Sequence, residues 1–210
     1  MSRTSAPLPL FPDLAPPAAE PLATTTPPGL RHADNVTSAN EQQRLIERFQ
    51  SLDFAPFDFR GFKGNRRTVA FGSRYDFTHQ RVGSAEPLPD WLMPLRAAAG
   101  AFAGVAEANL VQALITEYAP GAGIGWHRDR PEYGQVVGLS FASECVLRFR
   151  RPEAGGWRRA SVLLRPGSAY LLDGEARESW QHSINPGTAL RYSVTFRTLR
   201  WAETPGSCGR

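Results

Sequence analysis

From Leu110 to Arg200, short β-favouring apolar runs alternate with turn residues, and no long helical period survives. The runs are Leu110–Tyr118, Val136–Phe141, Val146–Phe149, Ala160–Leu164, Ser168–Leu172 and Arg191–Leu199. Six or more short strands punctuated by Gly and Pro predict a sandwich or jelly roll. Upstream the period changes. Leu45, Ile46, Phe49 and Leu52 recur at helical spacing behind a Ser38/Glu41 capping box, which predicts a helix from about Asn40 to Leu52. A second helix is predicted from Trp91 to Ala106, with Asp90 as N-cap and Leu92, Leu95 and Ala99 on one face. Between the helices, aromatic-rich segments around Gly61, Gly64 and Asn65 suggest short strands joined by hairpin turns. No internal repeat is found.

Composition narrows this picture. At 210 residues the chain fits one domain plus a tail. Residues 1–30 are rich in Pro, Ala and Thr, with few large apolar side chains, and read as a disordered or extended tail with a short Leu8–Leu10–Phe11 cluster. The domain then spans 31–210. Cys145 and Cys208 lie too far apart to suggest a disulfide framework, and Cys145 reads as a small buried residue. No signal-peptide h-region and no span of membrane length is present, so a soluble, cytoplasmic protein is the expectation, and a monomer. The net charge of +4 rests almost wholly on arginine, Lys63 being the single lysine. Such a skew reads as codon bias, and a pI near 9.5 at least does not repel a polyanion.

The candidate chemistry begins with His127-Arg128-Asp129. On a strand, positions i and i+2 project from one face, so an imidazole and a carboxylate would meet. His-x-Asp alone is a weak signal. His182, in Ser-Trp-Gln-His-Ser-Ile-Asn-Pro-Gly, supplies a third ligand. Two imidazoles and one carboxylate cap one face of iron(II) and leave positions open for a co-substrate and dioxygen, whereas structural zinc closes with four ligands. Further on, Arg191 and Arg197 stand six residues apart in an apolar strand and therefore share a face. A guanidinium turned inward needs an anion, and its fork suits a carboxylate, although an ordinary ion pair remains open.

Together, Tyr118-Ala-Pro-Gly-Ala-Gly-Ile-Gly-Trp-His-Arg-Asp, then His182, then Arg191-Tyr-Ser-Val-Thr-Phe-Arg197 resemble the AlkB family of Fe(II)- and 2-oxoglutarate-dependent dioxygenases over roughly Phe54 to Arg200. The resemblance implies a mainly β (α+β) fold, a double-stranded β-helix or jelly roll with two supporting N-terminal helices. It implies His127, Asp129 and His182 as metal ligands. It also implies Arg191 on the distal carboxylate of 2-oxoglutarate with help from the Tyr118 hydroxyl, and Arg197 steadying Asp129 or the co-substrate. Thr116 stands where many relatives have asparagine, and the connection from His182 to Arg191 is short beside the best-known bacterial relative. Fe(II) is the implied cofactor, with 2-oxoglutarate and O2 as co-substrates. The implied reaction couples decarboxylation of 2-oxoglutarate to hydroxylation of an N-alkyl C–H bond, after which the hemiaminal releases an aldehyde.

Substrate choice is expected in Phe57–Phe77, a flap in the family. There Asn65, Arg66 and Arg67 offer phosphate contacts among Phe59, Phe62, Phe71, Tyr75 and Phe77, though alternating aromatics equally make core. A flipped base of DNA or RNA would suit such a site. Arg128 is expected to face away from the metal, towards solvent or substrate. Trp126 and Trp180 are expected to pack beside the ligand histidines and limit water access, and His32 and His79 to be surface residues. Three readings stay open: a demethylase of nucleic-acid bases, an oxygenase of protein side chains or small molecules, and a non-catalytic binding module. Ser/His/Asp hydrolysis lacks a Gly-x-Ser-x-Gly elbow.

Overall fold

The structure, a computed structural model, describes residues 26–59, 62–76, 81–84 and 86–200, with backbone alone over 57–59, 62–65, 74–76 and 81–84. Nearly all of the tail, together with His79, Phe77 and Cys208, lies outside the described residues.

The elements in chain order are β1 (Leu30–Ala33), α1 (Ala39–Gln50), β2 (Ala55–Phe59), β3 (Phe62–Phe71), β4 (Ser73–Asp76), β5 (Arg81–Ser84), α2 (Met93–Ala103), β6 (Gln112–Tyr118), β7 (Ile124–His127), β8 (Tyr133–Phe141), β9 (Cys145–Glu153), β10 (Gly156–Leu164), β11 (Ala169–Leu172), α3 (Gly174–Glu178), β12 (Gln181–Ile184) and β13 (Arg191–Leu199). They build a seven-stranded sheet in the order β1-β11-β8-β13-β6-β3-β2, facing a four-stranded sheet in the order β10-β9-β12-β7. β4 and β5 form a separate two-stranded sheet. The strand pairings are antiparallel, and this is the jelly-roll architecture expected from the sequence.

Local chemistry explains the helices and corrects one of them. Ser38 accepts from the Glu41 amide while the Glu41 carboxylate returns to the Ser38 amide at 2.9 Å, so the capping box forms as read. The second helix differs. Asp90 opens a 3-10 turn that ends at Leu92, and the α-helix starts at Met93 with Pro94 in its first turn and no side-chain cap. It ends before Ala106, because Gly104 takes a left-handed φ of 67° and halts it. The tail is also shorter than read. Pro27 is buried, Pro28 accepts from Ala176 and Gly29 accepts from Asp173, so the chain is anchored before Leu30 enters β1. His32 accordingly lies within β1, half-buried opposite Tyr170 and 3.6 Å from Asp34, rather than free on the surface.

The strand alternation of the large sheet sorts side chains onto two sides. Tyr192, Val194 and Phe196 of β13, Ala113 and Ile115 of β6, and Val137, Leu139 and Phe141 of β8 face α1 and α2, where they close a core with Phe49, Leu95 and Ala99. Their neighbours face the four-stranded sheet. A second apolar cluster, including Leu147, Phe149, Leu172 and Trp180, fills part of that space, and polar side chains fill the rest.

Candidate metal centre

The polar part of the interior is set by register. His182 on β12 is the direct antiparallel partner of His127 on β7, which puts both imidazoles on one face with ring centroids 4.2 Å apart. Asp129 joins them by another route than the one read from sequence. The strand ends at His127, whose partner on β12 is His182, and Asp129 sits in the following loop. Arg197 on β13 holds it there, donating from Nε and Nη2 to Oδ1 at 2.9 and 2.7 Å. The loop is fixed in turn by buried Arg177, which donates to the carbonyls of Gly134, Arg130 and Tyr133 at 2.8, 2.5 and 2.6 Å. One ligand atom from each of His127, Asp129 and His182 lies within 4.8 Å of the others.

The protonation states suit a divalent cation. Burial and the neighbouring His127 push the His182 pKa down to about 3 against the pull of Asp129, leaving a neutral ring with a lone pair. Burial likewise lowers His127. Its Nδ1 lies 2.9 Å from the Gly125 carbonyl, an assignment of the proton to Nδ1 that frees Nε2. Burial alone would raise the Asp129 carboxyl, but Arg197, then the two imidazoles and Arg177, more than offset it and hold it well below the usual carboxylate range. Arg197 is correspondingly raised by Asp129 in spite of its burial.

Arg191 stands further along the same face of β13. Its Nε donates to Ser140 Oγ at 3.1 Å, its guanidinium lies 5.0 Å from the Tyr118 ring centroid, and its Nη1 is buried without a hydrogen-bond partner. A buried, unsatisfied guanidinium nitrogen is costly, and an anion beside it would remove that cost. Tyr118 and Arg191 also line a cavity of about 150 Å³ with Cys145, Ile184 and Asn185. The donor set and this nitrogen fit Fe(II) and a diacid such as 2-oxoglutarate. Thr116 is buried opposite Ser193, one residue pair deeper on this face. A larger groove of about 580 Å³ lies between α1 and α2 and holds neither imidazole nor cysteine.

The residues expected to meet substrate separate. In β3, Arg66 pairs with Tyr118 and faces the interior, where its charge is felt by His127. Arg67 points the other way and is bound to Glu117 at 2.7 Å, beside Phe54, so it acts in the helix-side packing. Phe71 is core against Trp91. The side chains of Asn65, Phe59, Phe62 and Tyr75 lie outside the described residues. Arg128 is exposed and donates to the Glu178 carbonyl at 3.0 Å. Trp126 is not beside the metal ligands. Adjacent strand residues face opposite ways, so with His127 inward Trp126 lies on the outer surface under Arg148 and Arg150. Trp180 is buried in the second apolar cluster.

Several residues of the centre were not singled out from the sequence. Gln112 accepts from Arg197 at 2.9 Å and donates to Tyr133 at 2.7 Å, tying the Asp129 clamp to β6. Tyr170 is buried in the interior with its pKa raised by burial and then by Asp129 and Tyr118. It fits because residue 138 is glycine, where a Cβ would come within 2.3 Å of the Tyr170 ring. Gln112 is the direct cross-strand partner of Arg197, a register between distant strands that spacing along the chain does not reveal.

A model of the 2OG-Fe(II) oxygenase superfamily matches residues 29–197. The chain is 28% identical over 166 residues to the mouse protein tRNA (carboxymethyluridine(34)-5-O)-methyltransferase ALKBH8, a match covering 76% of this chain and 24% of that one. It is 46% identical over 114 residues to the zebrafish protein Probable RNA/DNA demethylase ALKBH6, covering 48% and 47%. It thus spans at most about half the length of these relatives. In fold it is similar to the solved structure of OsALKBH1, with a TM-score of 0.62 at 16% identity over 83% of this chain and 100% of that one. The family match runs through the clustered imidazoles and carboxylate and reaches Arg197, and with an AlkB-like fold around them the chain belongs to the 2OG-Fe(II) oxygenase superfamily.

Proposed function

We propose that this chain is an Fe(II)- and 2-oxoglutarate-dependent dealkylating oxygenase that acts on N-alkylated bases of DNA or RNA. One observation carries the chemistry: a His-Asp-His cluster with His182 buried and an unsatisfied Arg191 nitrogen occupy the same polar interior. The names of the ALKBH6 and ALKBH8 relatives support nucleic acid as the substrate class.

His127, Asp129 and His182 would hold the iron, and Arg191 with Tyr118 the far carboxylate of 2-oxoglutarate. Iron and co-substrate, when bound, supply oxidation of a C–H bond coupled to formation of succinate and carbon dioxide from 2-oxoglutarate and O2. The protein's part is positioning. Arg197 fixes the Asp129 oxygen it touches and leaves Oδ2 towards His182, 3.5 Å from its Nε2. The Gly125 carbonyl sets the His127 tautomer, and Ser140 aims Arg191. Arg66, facing the interior beside Tyr118, would meet an anionic group of the substrate.

The test is formaldehyde release from methylated DNA and RNA oligonucleotides, expected to require both added iron and 2-oxoglutarate. Succinate without aldehyde on every oligonucleotide would move the substrate to a protein side chain or small molecule. No iron-dependent turnover of 2-oxoglutarate under any condition would leave only a binding module.

A further inference from the structure

The outer face of the four-stranded sheet carries a cluster that the metal centre does not use. Leu147 and Phe149 of β9 and His182 of β12 point inward, so the alternate positions point out. Those outward positions include Arg148 and Arg150 on β9, Trp157 and Arg159 on β10, Gln181 on β12 and Trp126 on β7, the others being uncharged, and no Asp or Glu is among them. Arg150 lies between two indoles, 4.5 Å from the Trp126 centroid and 4.3 Å from that of Trp157, with its Nε donating to Gln181 Oε1 at 2.8 Å. Arg148 also covers Trp126, at 4.9 Å. Arg159 is the direct cross-strand partner of Arg150.

Arg148 and Arg150 stand two residues apart on this one face of β9, where like charges repel and an anion between them is favoured. Stacking on tryptophan holds the guanidinium planes while leaving edge N–H groups for an anion. A row of such groups suits regularly spaced phosphates, and Trp157, 43% exposed, offers a ring for a base. We infer that this face binds the backbone of a single-stranded nucleic acid. Because β7 is an edge strand with Trp126 outside and His127 inside, a strand lying on the face can pass over that edge to the mouth of the metal centre. That path rests on the proposed function; the binding does not.

The full chain is titrated with fluorescently labelled, unmodified DNA and RNA oligomers of about a dozen nucleotides at several salt concentrations. Replacing both Arg148 and Arg150 with alanine is expected to weaken binding on the order of ten-fold and to reduce the log–log salt slope by about 1.4, roughly 0.7 for each phosphate no longer neutralised. Trp157→Ala is expected to weaken binding without changing the slope. The double lysine variant is expected to keep the slope, and it serves as the comparison if the alanine variant melts early. Unchanged affinity and slope in the alanine variant would overturn the inference, as would equal competition by polyglutamate of the same length. Binding that depends on these arginines without dealkylation sinks the proposed function alone; dealkylation with arginine-independent binding sinks this inference alone.

Discussion

The two sides of β13 are made by the same nine residues and differ in almost every physical respect. On the helix side Tyr192, Val194 and Phe196 sit in a dry core with Phe49, Phe141 and Ile115. On the barrel side Arg191, Ser193, Thr195 and Arg197 line up, all buried or nearly so, and two of them carry charge. Hydrocarbon burial supplies the stability that lets the opposite face hold desolvated polar groups, whose own contribution to folding is small or unfavourable. The lesson is a division of labour by parity: even positions hold the sheet in place and odd positions hold the chemistry.

Breaking Asp129 tests the polar side hardest. Asp129→Ala is expected to reduce iron-dependent 2-oxoglutarate turnover to background. It also strands Arg197, costing about 3–5 kcal/mol of stability in chemical denaturation. On the dry side, Phe196→Ala should cost a similar 3–5 kcal/mol through the cavity it leaves, while the KM for 2-oxoglutarate of the folded fraction stays unchanged. A rise in KM would erase the contrast between the faces.

Arg191→Ala reverses the pattern. We expect on the order of a hundred-fold rise in KM for 2-oxoglutarate, since losing one partner of a desolvated charge pair costs about 2–5 kcal/mol. The melting temperature without co-substrate should barely move, because Nη1 is unsatisfied there. A smaller effect is expected at Gly138→Ala, where the new methyl displaces the Tyr170 ring and costs about 1–3 kcal/mol, read by equilibrium unfolding. Smallest is Ser38→Ala, which removes the cap of α1 on the helix side of β13, for about 1 kcal/mol with kinetics intact.

Sequence alone revealed most where periodicity was long and clean. β13 was read with its observed bounds, and the α1 capping box formed as written, because both signals are local. The four-residue β1 and β12 and the short α3 were missed, being too brief to show a period. Asp129 was expected on a strand and stands in a loop, since strand ends depend on partners that only the fold supplies. Trp126 was set on the wrong side of the sheet although its parity with His127 already excluded that. Arg66 and Arg67 were treated as one basic patch, and the same alternation splits them. Gln112, Tyr170 and Arg177 needed register between distant strands, which no single stretch encodes.

The two imidazoles are anchored unequally. β7 is the last strand of its sheet, four residues long, with a single neighbour and an irregular pairing to it. His127 therefore hangs on one of the most weakly fastened parts of the barrel, while Arg197 reaches Asp129 from the opposite sheet. An ion gripped by this trio would act as a rivet through both walls, clamping a margin that hydrogen bonds alone leave free to fray. Loading of the centre would then also tie down the rim of the barrel.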